Sequence, residues 1–152
     1  MNNSSIILSR PLAWLCVFFL LSSVGATSVL AADPKLEVLL IWGTHGETSP
    51  DEKHKPLDED LVKKLKMFKW KKYFTVNRLE VTPNSRSSQK IRLSPHSEVA
   101  VKALDGSRYE INVYGKGKHV RKITEKITKQ DSLVIAGDDK NDCAWFILIR
   151  EN

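Results

Sequence analysis

The densest run of chemically active side chains lies between Lys63 and Tyr73. Lys63, Lys64, Lys66, Lys69, Lys71 and Lys72 put six lysines into ten residues, interleaved with Phe68, Trp70, Tyr73 and Phe74. Ammonium groups at this density can pair with phosphate, sulfate or carboxylate, and aromatic rings can stack on sugars or bases. The candidate polyanion contacts are therefore Lys63, Lys66, Lys69, Trp70, Lys71, Lys72 and Tyr73. The competing reading is structural: the lysines solvate an outer face while the rings fill a core. A second basic run, Lys116, Lys118, His119, Arg121 and Lys122, would enlarge the surface if it lay beside the first.

Other residue groups carry weaker chemistry. His45, Glu47 and His54 sit close together in sequence and could ligate a divalent transition metal, but their spacing matches no familiar zinc pattern. Asp138, Asp139, Asn141 and Asp142 cluster the oxygens a hard cation prefers, yet they lack the twelve-residue spacing and terminal Glu of an EF-hand, and hairpin turns favour these residues for backbone reasons. Ser94-Pro95-His96-Ser97 sets a hydroxyl beside an imidazole. Neighbours on a strand point to opposite faces, so the expectation there is a proline-marked turn. There is no Gly-x-Ser-x-Gly elbow, Ser-x-x-Lys pair or Gly-rich phosphate loop. No catalytic residue, metal site or cofactor is selected.

The elements that must position these groups begin after a leader. Arg10 precedes an apolar run, Pro11 to Leu21, and small residues near Ala26 and Ala31-Ala32 offer export cleavage sites. Residues 1–32 are read as a cleaved export signal and residues 33–152 as a single β-rich domain of about 120 residues. Loss of Arg10, with no acidic residue lost, takes the net charge from +6 to +5. Cys16 would leave with the signal, so Cys143 would have no intrachain disulfide partner; it reads as a small apolar strand residue. No later segment is long and apolar enough to span a bilayer. The expected location is exported, periplasmic or extracellular.

Leu36 to Trp42 reads as a strand and Thr44 to Pro56 as an exposed loop. Asp58 is placed to cap a helix in which Leu61, Val62, Leu65 and Phe68 share one side and the lysines the other, with Leu57 and Val62 as a hydrophobic staple. Extended segments follow at Tyr73 to Thr82, with a bulge or bend at Asn77, and at Lys90 to Ser94, Glu98 to Leu104 and Arg108 to Tyr114. Asp105-Gly106-Ser107 marks a hairpin. Lys116 to Lys129 has helical spacing but a strand's composition, and it is assigned to a strand. Ser132 to Ala136 and Cys143 to Ile149 form a last hairpin. The last strand is apolar on both faces and the first nearly so, with Glu37 beside Leu39 and Ile41 on its second face, which places each centrally in a sheet covered on both sides. The fold class is mainly β: an antiparallel sandwich or partly open barrel of seven or eight strands with one covering α-helix.

The Leu-Ile-Trp-Gly strand, Lys-x-Phe-Lys-Trp-Lys-Lys-Tyr-Phe-x-Val-Asn-Arg, and the terminal Ala-Gly-Asp-Asp-x-x-Asp-x-Ala-Trp-Phe resemble a group of small exported bacterial proteins of unassigned function. The resemblance covers most of the mature chain, implies a bacterial envelope location and transfers no site residue. The functional expectation is a non-enzymatic exported binding domain contacting an anionic envelope polymer or lipid headgroup, a protein partner or a second copy of itself. Nucleic acid is disfavoured as partner. The alternatives are a small hydrolase or metal-dependent enzyme built on His45, Glu47 and His54, and a structural or assembly subunit of an envelope complex.

Overall fold

The computed structural model describes residues 34–139 and 142–152. The segment expected to be an export leader, and with it Cys16, lies outside the described residues, as do Lys140 and Asn141 of the acidic turn. In chain order the elements are β1 (Leu36–Thr44), β2 (Lys55–Pro56), α1 (Glu59–Lys64), β3 (Lys72–Val81), β4 (Gln89–Ser94), β5 (Ser97–Ala103), β6 (Arg108–Gly115), β7 (Lys118–Lys126), β8 (Leu133–Asp139) and β9 (Cys143–Glu151). They form two open antiparallel sheets, ordered β2-β3-β1-β9-β8 and β4-β5-β6-β7. The fold is thus mainly β with a single short helix among the described residues, as its alternating patterns require. The ninth strand, beyond the seven or eight expected, is β2. Its two residues lie within the segment expected to be loop, and Pro56 is tolerated because β2 is an edge strand.

The doubly apolar strands occupy the interior of the five-stranded sheet, paired with each other from Leu36↔Glu151 to Thr44↔Cys143. On the face toward the second sheet, cross-strand neighbours form three rows. Leu79, Val38, Ile149 and Leu133 make the first; Asn77, Leu40, Ile147 and Ile135 the second; Phe74, Trp42, Trp145 and Gly137 the third. The first two rows pack against Ile91, Leu93, Val99, Val101, Tyr109, Ile111 and Val113 of the four-stranded sheet. Each such aliphatic side chain contributes about 1.5–3 kcal/mol by leaving water. Asn77, an amide within this face, donates from Nδ2 to the Leu93 carbonyl at 2.9 Å and so ties β3 to β4. The register shifts between Thr75 and Asn77, which makes Val76 the bulged residue, one position before the expected Asn77.

The opposite face of the same strands builds a second core. Leu39, Ile41, Ala144, Phe146 and Leu148 meet Leu57, Leu61, Leu65 and Tyr73, with Val62, Phe68 and Trp70 partly buried against them. The layers therefore run helix, five-stranded sheet, four-stranded sheet. Helix α1 ends at Lys64, short of the span that would have carried Leu65 and Phe68. Leu65 is the C-cap, and its carbonyl accepts from the Phe68 amide at 2.9 Å and from the Tyr73 hydroxyl at 3.0 Å. Asp58 stands at the helix N-cap but makes no side-chain cap bond. Its carboxylate accepts a 2.5 Å hydrogen bond from Arg78 Nη2, a stronger partner than a backbone amide.

β7 confirms the choice of strand over helix for its segment. It pairs with β6 from Arg108↔Lys126 to Gly115↔Lys118, with Val120 extruded between Arg121 and His119. Asp105, Gly106 and Ser107 turn the β5–β6 hairpin, with Gly106 at φ 54° and Ser107 at φ 65°. Pro95 and His96 form the tight turn between β4 and β5.

Candidate functional site

At the end of the sandwich carrying the Pro95-His96 turn and the Lys116-Gly117 turn, the packed aliphatic rows give way to a cavity of about 530 Å³. Its floor is the third row of the five-stranded sheet. Trp42 and Trp145 are direct cross-strand partners, and Trp42 tilts against Phe74 at a centroid distance of 6.1 Å. Gly137 makes this row possible: a Cβ on it would stand 2.1 Å from Trp145 Cζ2, so the indole lies across the bare backbone of β8. Val113 and Val120 form the facing wall, and Leu40 and Ile147 close the inner end. Val120 is 61% exposed at the rim, an outlay of apolar surface that packing within the domain does not use.

A few polar groups border the opening, namely His54, Ser94, His96, Ser97 and Lys116. Ser94 and Ser97 are register partners flanking the turn, and the Lys116 amide donates to the His96 carbonyl at 2.8 Å, which clamps the two turns together. His54 Nδ1 and Ser49 Oγ lie 2.6 Å apart, which orients that ring. The border is positively biased by Lys116, and no carboxylate lines the cavity among the described residues. A mostly apolar concavity of this size with a handful of polar groups at its mouth has the make-up of a small-molecule site.

The lysine block lies elsewhere, on the helix layer. Lys63, Lys66, Lys69, Lys71 and Lys72 are exposed. Lys63 pairs with Asp60 at 3.1 Å and Lys72 with Glu47 at 3.6 Å. The rings of the block do not face outward with the lysines. Tyr73 is buried, its hydroxyl committed to Leu65, and burial pushes its ionisation above the usual tyrosine range. Trp70 packs over Gly43, whose missing Cβ would come within 3.0 Å of its Cγ, and lies 4.7 Å from the His45 ring. The second basic run belongs to the four-stranded sheet and its β6–β7 turn, so the five-stranded sheet separates the two basic segments.

His45, Glu47 and His54 do not converge either: one ring is against Trp70, the carboxylate faces Lys72, and the other ring is against Ser49. Among the described residues no three His, Cys, Asp or Glu side chains are grouped to hold a metal ion. Cys143 begins β9 half-buried, its Sγ 3.8 Å from Thr44 Oγ1.

The buried charge of the domain sits on the helix side. Glu37 accepts from Arg150 Nε at 2.6 Å and pairs with Arg78 Nε at 3.3 Å, and Arg78 also holds Asp58. The hydrogen bond from Arg78, then its positive charge, keep the Asp58 carboxyl below the usual range, and Asp58 in return raises Arg78. This chain of charges fastens α1 to β3, β1 and β9. It lines no concavity shared with the tryptophan row.

The cavity residues were missed in the sequence because each has an ordinary structural role at its own position. Trp42 and Trp145 are read locally as core residues of central strands, and only the β1–β9 register makes them neighbours. The sequence assigns Gly137 to the polar turn after Ala136, because Asp138 and Asp139 follow it; β8 instead runs on to Asp139, and Gly137 becomes a strand glycine that permits a close approach. No protein-family model matches the chain, and neither does any curated protein or solved structure.

Proposed function

We propose that this domain is a non-enzymatic binding module that takes the apolar part of an amphiphilic small molecule between its two sheets. The observation that carries this reading is the 530 Å³ cavity floored by Trp42 and Trp145 and rimmed by the exposed Val120. The volume falls in the usual range for small-molecule sites, roughly 300–1,000 Å³. Lys116 and the two histidines at the mouth suit an anionic or hydrogen-bonding head left outside. An acyl chain fits this pattern, since rows of aliphatic and indole carbon offer contact and no direction-specific donors. Export, as expected from the leader, would bring such a domain to envelope lipids and their fragments.

The test is a titration with saturated fatty acids of increasing length, read by Trp emission and by displacement of cis-parinaric acid. Each methylene that enters the cavity is worth about 0.8 kcal/mol, so affinity should rise roughly fourfold per carbon until the space is filled, then level off. Val120→Asp places a carboxylate at an exposed rim position where folding does not depend on the side chain, and should weaken binding of every chain length. Affinity independent of chain length, or unaltered by Val120→Asp, would refute the proposal.

A further inference from the structure

The outward face of the four-stranded sheet is a second surface with its own chemistry. Register alternation sends Ile91, Leu93, Val99, Val101, Tyr109, Ile111 and Val113 inward and turns Lys90, Arg92, Lys102, Arg108, Lys122 and Lys126 outward. Glu98 and Glu110 are the carboxylates on the same outward positions. Glu98 is engaged by Lys90 at 3.6 Å, and Glu110 by Lys122 at 2.6 Å. Arg108 is answered by Asp105 from the adjoining turn at 3.8 Å. Arg92, Lys102 and Lys126, on β4, β5 and β7, make no ion pair within 4 Å among the described residues; Arg92 and Lys102 stand across from Glu98 and Glu110, carboxylates already paired with Lys90 and Lys122, so the face keeps a net positive charge. Unbalanced positive charge thus reaches from one edge of the sheet to the other, about 14 Å at the usual strand spacing.

We propose that this face docks on an anionic lipid bilayer. Two features favour a bilayer over a charged polymer. The cations are spread in two dimensions over a sheet face rather than along a stripe or groove, which suits a planar array of headgroups. Val120, 61% exposed, lies at one end of the same sheet, where the tryptophan-lined cavity opens, so apolar surface is present beside the cations for the interfacial zone. The lysine block at residues 63–72 is on another layer and takes no part.

The experiment is sedimentation of the protein with vesicles of phosphatidylcholine alone or with phosphatidylglycerol, at about 0.1 and 0.5 M salt. Binding should require phosphatidylglycerol and weaken at the higher salt, where screening is stronger. Each cation near such a surface is worth roughly fivefold in affinity, so Arg92→Gln, Lys102→Gln and Lys126→Gln together should cost about 100-fold. The matched triple Lys66→Gln, Lys69→Gln and Lys71→Gln removes the same charge from the helix layer and should change binding less than about threefold. Equal losses in the two triples would overturn the proposal, because attraction would then follow net charge and not this face. Equal binding to phosphatidylcholine alone would overturn it in favour of apolar insertion. Retention on heparin without vesicle binding would also overturn it, making the partner a soluble polymer. Fatty-acid binding in the cavity is read separately, by chain-length dependence and Val120→Asp, so either proposal can fail without the other.

Discussion

Replacing Gly137 with alanine tests the aromatic row directly. The added methyl would stand 2.1 Å from Trp145 Cζ2 and 2.4 Å from Cε2, whereas carbon atoms in contact sit about 3.5–4.0 Å apart. The indole or β8 must therefore move by roughly 1.4 Å or more. β8 is an edge strand paired only with β9, so it can bend away or let the ring swing toward the cavity. Overpacking of this kind costs about 1–3 kcal/mol. Against it stands a gain of about 0.5–1 kcal/mol, because glycine in a strand is less favourable than alanine, and Gly137 is not among the residues with positive φ. The net expectation is a loss of roughly 1–2 kcal/mol. In a Trp145→Ala background the clash is gone and the same change should stabilise by roughly 0.5–1 kcal/mol, an inversion of sign with a coupling of about 2 kcal/mol. Urea unfolding followed by circular dichroism supplies the four free energies, and native Trp emission reports the displaced ring. If Gly137→Ala has the same sign and size in both backgrounds, Trp145 does not lie on that backbone and the cavity floor is wrong.

Two further perturbations address the charge chain on the helix side. Glu37 is 7% exposed, whereas Arg78 and Arg150 are 40% and 30% exposed. Converting both arginines to methionine leaves a buried carboxylate without a counter-charge and should cost about 3–5 kcal/mol. Glu37→Gln frees arginines that can reach water and should cost nearer 1 kcal/mol by urea unfolding; the reverse order would refute this account. Asp58 supplies the pH dependence. Its folded carboxyl titrates below its unfolded value near 3.8, so the pairing with Arg78 contributes stability above that pH and loses it as pH falls through the folded value. Because the pair is largely exposed, the effect should be under about 1 kcal/mol, and Asp58→Asn should flatten the stability curve of the wild type between about pH 5 and 2. Parallel curves for the two proteins would show that the pairing contributes nothing.

Much of the architecture was legible because it depends on local alternation. Apart from Glu37, residues 36–42 and 143–149 are apolar on both faces, which calls for a central pair with cover on each side; the β1–β9 ladder and the two cores meet that requirement. The β5–β6 hairpin followed from Asp105-Gly106-Ser107, and β7 from its β-branched content against a misleading helical spacing. What was not legible depended on partners distant in sequence. Asp58 has the residue type of an N-cap, but Arg78 twenty positions later outcompetes the amide. Phe68 has helical spacing from Leu65, but the helix is capped at Leu65 and the Phe68 amide reaches the Leu65 carbonyl in a three-residue turn that the Tyr73 hydroxyl also joins. Tyr73 itself belongs to a basic and aromatic run by sequence and to the outer core by fold. The cationic sheet face was invisible for the same reason: Arg92, Lys102 and Lys126 are spread over thirty-five residues of sequence and meet only through the β4–β7 ladders.

The two cores also explain how one end of the sandwich can remain open without loosening the domain. At the level of the cavity, β1 and β9 carry Trp42 and Trp145 on the inner face and the small residues Gly43 and Ala144 on the outer face. A sheet with large residues on one side only would leave the other side underpacked. Here the helix layer fills it: Trp70 and Phe146 close onto Gly43, while Phe68 and Tyr73 meet Phe146 edge-on at 4.9 and 5.7 Å. Edge-to-face pairs of this kind add about 0.5–1.5 kcal/mol each beyond the area they bury. The end of the sheet is thus held from outside by aromatic packing and by Gly43, so the indoles inside need not be covered by the second sheet to keep the strands in place. A ligand entering between the sheets would complete the inner core at a level where the outer one is already complete, which is the condition for binding without refolding.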